Sequence, residues 1–176
     1  MEKNISINKS LLQEFAEQSI YHISLNYPRI ETCLGELNEE EVWQKPNSSS
    51  NSIGNLILHL CGNITQYILS SLGGMADNRN RDSEFEATGG FSKHELLKKI
   101  KYVSESACAV IKDLTEEQLI NKYEVQGYTS SGIAIIVHVT EHYSYHTGQI
   151  TLLTKLLKDI DTGYYKGIDL NKKNRI

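Results

Sequence analysis

The stretch VHVTEHYSYHTGQI, from Val137 to Ile150, places His138, His142 and His146 at intervals of four residues. Side chains at positions i and i+4 lie one above the other on an α-helix, so this spacing predicts a helix that carries its imidazoles along one side. His138 and His146 would be separated by about 12 Å along the axis, at about 1.5 Å per residue, so one ion cannot bind all three. The stretch therefore predicts one adjacent pair of metal ligands.

The apolar face of this helix indicates which pair is meant. On a helical wheel at about 100° per residue, five apolar residues fall within an arc of about 60°: Ile135, Val139, Ile150, Leu153 and Leu157. His146 lies inside this arc, His142 lies close to it, and His138 lies on its flank. A lone histidine there is more often a hydrogen-bonded core residue, but two stacked imidazoles occupy places that Leu would fill at lower cost. We therefore predict His142 and His146 as ligands.

The third ligand must come from another helix, and the candidates are His59, His94 and His22. His94 lies in a charged first turn and His22 lies among polar residues, so water can solvate both. His59 lies mid-helix and shares its face with three uncharged amides: Asn55, Asn63 and Gln66. Such a face is typical of an enclosed polar pocket whose amides orient imidazoles. The alternative is an amide-rich helix packed against a second subunit, and we favour His59 as the third ligand.

The composition narrows the classes of function. Residues 46–76 include no Asp, Glu, Lys or Arg, but their repeated amides do not suit a membrane helix, which needs about 20 predominantly apolar residues. A net charge of -4 with dispersed lysines gives no footprint for a nucleic acid. The three scattered cysteines form no CxxC pair, and the charged N-terminus is not a signal peptide. We expect a cytoplasmic protein with no nucleic-acid or membrane partner.

Helical periodicity and capping residues predict four long helices, over residues 7–34, 52–73, 92–113 and 130–157. Pro28 should kink or interrupt the first helix, and Asn51 or Ser52 should cap the second. Ser92 and Glu95 form a capping box at the start of the third. The segment LTEEQLINKYEVQGYT, before the fourth helix, has room for a helical turn and a short extended piece. The predicted fold is all-α, an antiparallel four-helix bundle forming one domain over residues 1–176.

Two of these segments together resemble the DinB-like superfamily of bacterial metal-binding four-helix bundles. They are HLCGN, from His59, and HYSYHTGQ, from His142 to Gln149, which has the form HxxxHxGQ. The resemblance runs from the first helix to about Leu157, and the pair of motifs is fairly specific, whereas either alone is not. The segments NSIGNLILHLCGN and RNRDSEF resemble more narrowly an uncharacterised branch related to YfiT-type and bacillithiol or mycothiol transferase-like proteins.

The resemblance implies that His59, His142 and His146 bind zinc, nickel or a similar divalent ion, often within a homodimer. Relatives include S-transferases that use bacillithiol, mycothiol or glutathione, a mycothiol-dependent isomerase, and proteins named as metal-dependent hydrolases. The Arg that often follows the last His in the wider family is Thr147 here. A role carried by that cation is therefore not expected in this chain.

Three neutral imidazoles leave coordination positions open, as in a catalytic rather than a structural site. The ion would either lower the pKa of a bound water for hydrolysis or hold a thiol as thiolate. A hydrolase would benefit from a nearby carboxylate base, but Glu141, on the ligand-bearing helix, turns away from the core. This favours a transferase that conjugates a low-molecular-weight thiol with a small electrophile. The alternatives are a metal-dependent hydrolase and a noncatalytic metal- or ligand-binding stress protein.

The loop RNRDSEF offers cations near the predicted site. Arg79 and Arg81 would bind the carboxylates of a thiol cofactor at the mouth of the pocket. The alternative interpretation is a solvated charged loop, which the sequence supports equally well.

Overall fold

The computed structural model describes residues 9–174, and helices dominate it. The helices are α1 (Leu11–Ser24), α2 (Asn26–Glu36), α3 (Glu39–Trp43), α4 (Ile53–Ile64), α5 (Arg81–Glu86), α6 (Lys93–Lys112), α7 (Glu116–Ile120) and α8 (Gly132–Lys158). A π-helical segment, Thr65–Ser70, continues α4, and two short strands, β1 (Lys122–Val125) and β2 (Tyr128–Ser131), precede α8. The all-helical class predicted from the sequence is confirmed.

The first predicted helix is two helices in the structure. Its predicted start at Ile7 lies outside the described residues, and α1 begins after Ser10, whose side chain accepts a hydrogen bond from the Gln13 backbone N–H. The chain breaks at Leu25, one turn before Pro28. Proline has no N–H and its ring crowds the carbonyl four residues earlier, so it is tolerated only in the first turn of a helix. Pro28 therefore interrupts this helix, as predicted, and the break lies upstream of the proline itself.

The second predicted helix begins where its capping residue indicates. Ser52 and Asn55 form a reciprocal capping box, in which each side chain binds the other's backbone N–H. After Ile64 the backbone widens into the π-helical segment, which ends at Ser70. A turn then leads to Gly74, whose φ of 73° lies in the left-handed region that glycine adopts without strain. The predicted start is confirmed, the helical structure ends shortly before the predicted stop at Gly73, and the π-helical stretch was not predicted.

The remaining elements follow the sequence closely. Ser92 caps α6 with Glu95, as predicted. The segment before α8 holds one short helix and a two-stranded antiparallel hairpin, with Val125 paired to Tyr128. Gln126 and Gly127, the two residues of its turn, have positive φ, which matches the twist of a tight hairpin.

Helix α8 lies against α1, α2 and α4, and α6 lies against α1, α2 and α4 on the other side of the core. The core between them is formed mainly by fully buried Ile and Leu side chains. This packing is that of a helical bundle, while the antiparallel order of the four predicted helices stays a prediction. Within residues 9–174 no helix is long and apolar enough to cross a membrane.

Candidate metal centre

Three histidines from two helices converge at one point of the bundle. His59 projects from α4, and His142 and His146 project from α8; one ring nitrogen from each lies within 4.8 Å of the others. The Nε2 atoms of His59 and His142 are 2.9 Å apart, although the two residues are 83 positions apart in the chain. His59 and His146 are buried, whereas His142 is half-buried. The cluster is therefore reachable from one side.

The donor set fits a divalent ion. In a tetrahedral site with Zn–N bonds of about 2.0–2.1 Å, ligand nitrogens lie roughly 3.3 Å apart, so only small side-chain shifts are needed. Burial, with the neighbouring His146 and His59, lowers the pKa of His142 to about 3, and burial also lowers the pKa of His146. Neutral imidazoles with free lone pairs are the form that binds zinc, copper, iron or nickel. The rings of His142 and His146 are thus held as potential ligands at neutral pH.

A buried ion pair orients His59. The Nδ1 of His59 lies 2.9 Å from Glu84 Oε2, and Arg79 donates to both oxygens of that carboxylate, from Nε at 2.8 Å and from an NH2 group at 2.9 Å. Arg79 Nη2 also lies 3.2 Å from His59 Nδ1, but an ionised carboxylate only accepts, so the proton of the closer Nδ1–Oε2 contact belongs to Nδ1. His59 therefore donates its Nδ1–H to Glu84 and turns the lone pair of Nε2 toward the other histidines.

The same contacts keep the Glu84 carboxyl ionised. Burial by itself would raise the pKa of this carboxyl, but the hydrogen bonds from Arg79 and His59 hold the pKa below its usual value. The carboxylate reaches this position because Gly62, one turn beyond His59, has no side chain: a Cβ there would lie 1.9 Å from Glu84 Oε1. Glycine at this position is what allows α5 to approach α4 so closely.

Gln149 orients a second ligand. Its Oε1 lies 2.7 Å from His146 Nδ1, so the ring donates Nδ1–H to the amide and leaves Nε2 free to bind an ion. Our interpretation of the sequence gave Gln149 no role. The signal was present, because a residue three positions after a helical histidine lies on the same face.

The uncharged amides of the second predicted helix contact neighbours of the three clustered histidines. Asn63 contacts Nε2 of His138 at 3.2 Å, and Gln66 accepts a hydrogen bond from Arg79 at 2.9 Å. Asn55 donates to two backbone carbonyls at the end of α5. Among the described residues these amides therefore support His138, the ion pair and α5, whereas we had expected them to orient the ligand imidazoles directly.

The comparisons with known proteins agree with the fold. A family model described as "Protein of unknown function (DUF1572)" matches residues 10–171. The chain belongs to this family. No curated protein matches the chain.

Three solved structures resemble this DUF1572 protein. A DinB-like protein, YjoA, from Bacillus subtilis has 21% identity and a TM-score of 0.60, with 80% of this chain and 91% of that chain covered. A DinB-like protein from Bacillus cereus has 16% identity and a TM-score of 0.63, with 81% and 90% covered. A conserved protein from Enterococcus faecalis has 14% identity and a TM-score of 0.68, with 82% and 97% covered. These likenesses show that the chain has the fold of the DinB-like proteins, as the resemblance predicted; the narrower branch stays a prediction.

The histidines outside the cluster lie where the sequence placed them. In this DUF1572 protein His94 and His22 are exposed. His138 lies beside the cluster, with its ring 5.2 Å from that of His142, and it also stacks on Tyr67 at 4.3 Å. The structure thus brings together the predicted three, leaves His94 and His22 exposed, and places His138 next to the cluster but outside it.

The two arginines of the RNRDSEF loop have different surroundings. Only 4% of the Arg79 side chain is exposed, and its guanidinium is engaged by Glu84. Arg81 is exposed and lies over the ring of Phe85 at 4.8 Å. The role of both in binding a thiol cofactor stays a prediction. No local pattern distinguished the buried Glu84 from its exposed neighbours, because only the packing of α5 on α4 buries it.

Proposed function

We propose that this protein binds one divalent ion, zinc or nickel, on His59, His142 and His146. We further propose that it uses the ion to transfer a small electrophilic group to a low-molecular-weight thiol. The proposal rests on the convergence of three imidazole nitrogens. Two of the histidines are buried, and the third, His142, is half-buried and faces the accessible side. Three protein ligands leave a position for a substrate, which is the pattern of a catalytic rather than a structural site.

The surrounding carboxylates favour thiol transfer over hydrolysis. Glu84, the acid in contact with the cluster, already accepts hydrogen bonds from Arg79 and His59 and is not free to take a proton from water. Glu141 is exposed on α8, and the candidate cluster includes no carboxylate among the described residues. The ion would supply the positive charge that keeps a thiol ionised. The sulfur then bonds to the electrophilic atom, and the leaving group departs.

Arg81 is the better placed of the two arginines to bind a carboxylate of the thiol. Its guanidinium lies over Phe85, and the ring of Phe85 lies 4.7 Å from the ring of His59. Arg79, in contrast, already donates hydrogen bonds to Glu84 and Gln66. We therefore assign the carboxylate of the thiol to Arg81, and Arg79 a role in holding Glu84.

Metal content tests the first half of the proposal. Wild-type protein loaded with zinc or nickel should hold about one ion per chain, since imidazole ligands suit both metals. Replacing His59, His142 or His146 by Ala should abolish or strongly weaken binding, measured by elemental analysis and competition with a chelator. The matched controls, His94→Ala and His22→Ala, change exposed histidines and should leave binding intact. No bound metal in the loaded wild type, or equal loss in all five variants, would contradict the site.

A transfer assay tests the second half. The metal-loaded protein should accelerate the reaction of a chlorinated nitroaromatic with at least one of bacillithiol, mycothiol, glutathione and cysteine, and the acceleration should vanish in His146→Ala. Turnover of ester or amide substrates in place of thiol transfer would favour the hydrolase. Tight metal binding without acceleration by any thiol would favour a noncatalytic metal-binding protein.

A further inference from the structure

A cavity lies beside the candidate metal centre, between α4, α6 and the loop that leads into α5. Its volume is about 670 Å³, which lies in the range of small-molecule sites. Arg79 and Glu84 line it, and both also contact His59. The ion pair is therefore shared by the wall of this cavity and the metal centre, and none of the three clustered histidines lines the cavity.

The described residues that line the cavity include one more positively charged side chain than negatively charged ones. Arg79 and Glu84 compensate each other through two hydrogen bonds, of 2.8 and 2.9 Å. Lys99, on α6, also lines the cavity, and within residues 9–174 it has no acidic partner within 4.0 Å. Its ammonium lies 5.0 Å from the centre of the Phe91 ring, which lines the same cavity. A ligand that matches this balance carries one negative charge.

The rest of the lining is largely apolar. Two large apolar side chains at the cavity are unusually exposed, Met75 by 53% and Tyr102 by 66%. Leu58 and Val103 add aliphatic surface. Cys61 also lines the cavity and is buried, so it adds to the apolar wall. Exposed apolar surface around a cavity with one uncompensated cation is typical of a site for an amphiphilic ligand.

We propose that this cavity binds a small organic monoanion, a carboxylate with an aliphatic or aromatic body, whose carboxylate pairs with Lys99 while the body packs against Val103, Met75 and Tyr102. The proposal does not depend on the metal centre. It assigns the ligand to a cavity that the ion pair lines and the three clustered histidines do not, so the ligand is not a substrate of the metal.

Calorimetric titration of the full-length protein, stripped of metal with a chelator, tests this with three probes of one chain length. Octanoate should bind more tightly than neutral octanamide, and octylammonium should bind least. Lys99→Met should weaken octanoate binding about threefold to fivefold, the worth of a partly exposed ion pair, and leave octanamide unchanged. Lys98→Met is the matched control, because Lys98 is exposed on the same helix but does not line the cavity, and it should bind octanoate as the wild type does.

A second variant tests the cavity itself. Val103→Trp should fill the space and reduce binding of both octanoate and octanamide, while circular dichroism shows the helix content unchanged. Two results would overturn the proposal: equal affinity of the three probes for the wild type, or equal loss of octanoate binding in the Lys98 and Lys99 variants. Repeating the octanoate titration with zinc-loaded wild type and with His146→Ala separates this site from the metal centre, because equal binding to both cannot depend on the ion.

Discussion

The carboxylate of Glu84 lies between a guanidinium and an imidazole, and it is 8% exposed. It fixes the tautomer of His59 from one side and compensates Arg79 from the other. Removing a residue that orients a metal ligand commonly weakens metal binding about 10- to 100-fold. Removing one partner of a buried ion pair leaves the other charge uncompensated, which lowers the stability of the fold. These two roles can be separated by substitution.

We predict that Glu84→Gln weakens zinc binding about 10- to 100-fold and destabilises the fold by about 3–5 kcal/mol. The amide has nearly the same shape, but it cannot neutralise Arg79, whose side chain is 4% exposed. Chelator competition measures the first effect and urea unfolding of the metal-free protein measures the second.

The double variant Arg79→Met/Glu84→Gln is the control for that prediction. It removes the stranded charge, so most of the lost stability should return while zinc binding stays weak. Zinc affinity equal to wild type in Glu84→Gln would show that the carboxylate does not orient His59.

At the scale of elements, the approach of α5 to α4 depends on Gly62. Glycine inside a helix costs roughly 1 kcal/mol relative to alanine, so its presence mid-helix needs a compensating contact. Here the compensation is the Glu84 carboxylate, which lies where a Cβ would be. Gly148, on α8, is also inside a helix but has no atom within 4 Å of an added Cβ. The two glycines therefore form a matched pair for one experiment.

We predict opposite effects of the same substitution at these two positions. Gly62→Ala should destabilise the fold, because overpacking costs about 1–3 kcal/mol and Glu84, held by two partners, cannot easily move. It should also weaken zinc binding through His59. Gly148→Ala should stabilise the fold by up to roughly 1 kcal/mol and leave zinc binding unchanged. Thermal unfolding and chelator competition check both; a neutral Gly62→Ala would contradict the close approach described above.

At the scale of the whole molecule, the candidate site links two helices that are far apart in sequence, and burial lowers the pKa of two of its imidazoles, those of His142 and His146. The pKa of His142 is lowered from 6.5 to about 3 in the folded protein. Below pH 6.5 the unfolded chain therefore binds a proton that the folded chain does not, so folding weakens as the pH falls. The stabilisation is fully present above that pH and is lost progressively toward the folded pKa.

We predict that the metal-free protein loses stability as the pH is lowered from 6.5 to about 5, where most carboxylates are still ionised. The loss for one histidine is at most about 1.4 kcal/mol per pH unit, and it is smaller here because the ring is half-exposed. Urea unfolding across this window measures the slope. His142→Gln should flatten the slope, whereas His94→Gln, at an exposed position, should not. Equal slopes in the wild type and His142→Gln would contradict the prediction.

The sequence by itself determined the helical class, several helix starts and the histidine-bearing face of α8. Helix starts were predictable at Ser52 and Ser92, because a capping box is a local signal that acts within three residues. The choice of His142 and His146 over His138 followed from the apolar periodicity of one helix. The family motifs pointed to the same two residues and to His59, and they predicted the fold class that the structure confirms.

Only the tertiary structure decided which residues surround the histidines. Nothing local to RNRDSEF indicated that Glu84 is buried and Arg81 is not, because both burials depend on how α5 packs on α4. The approach of Glu84 to His59, which Gly62 allows, likewise depends on packing between elements. Local signals reach one helical turn, whereas the His59–His142 contact spans 83 positions. A contact across that separation exists only when the whole bundle has brought the two helices together.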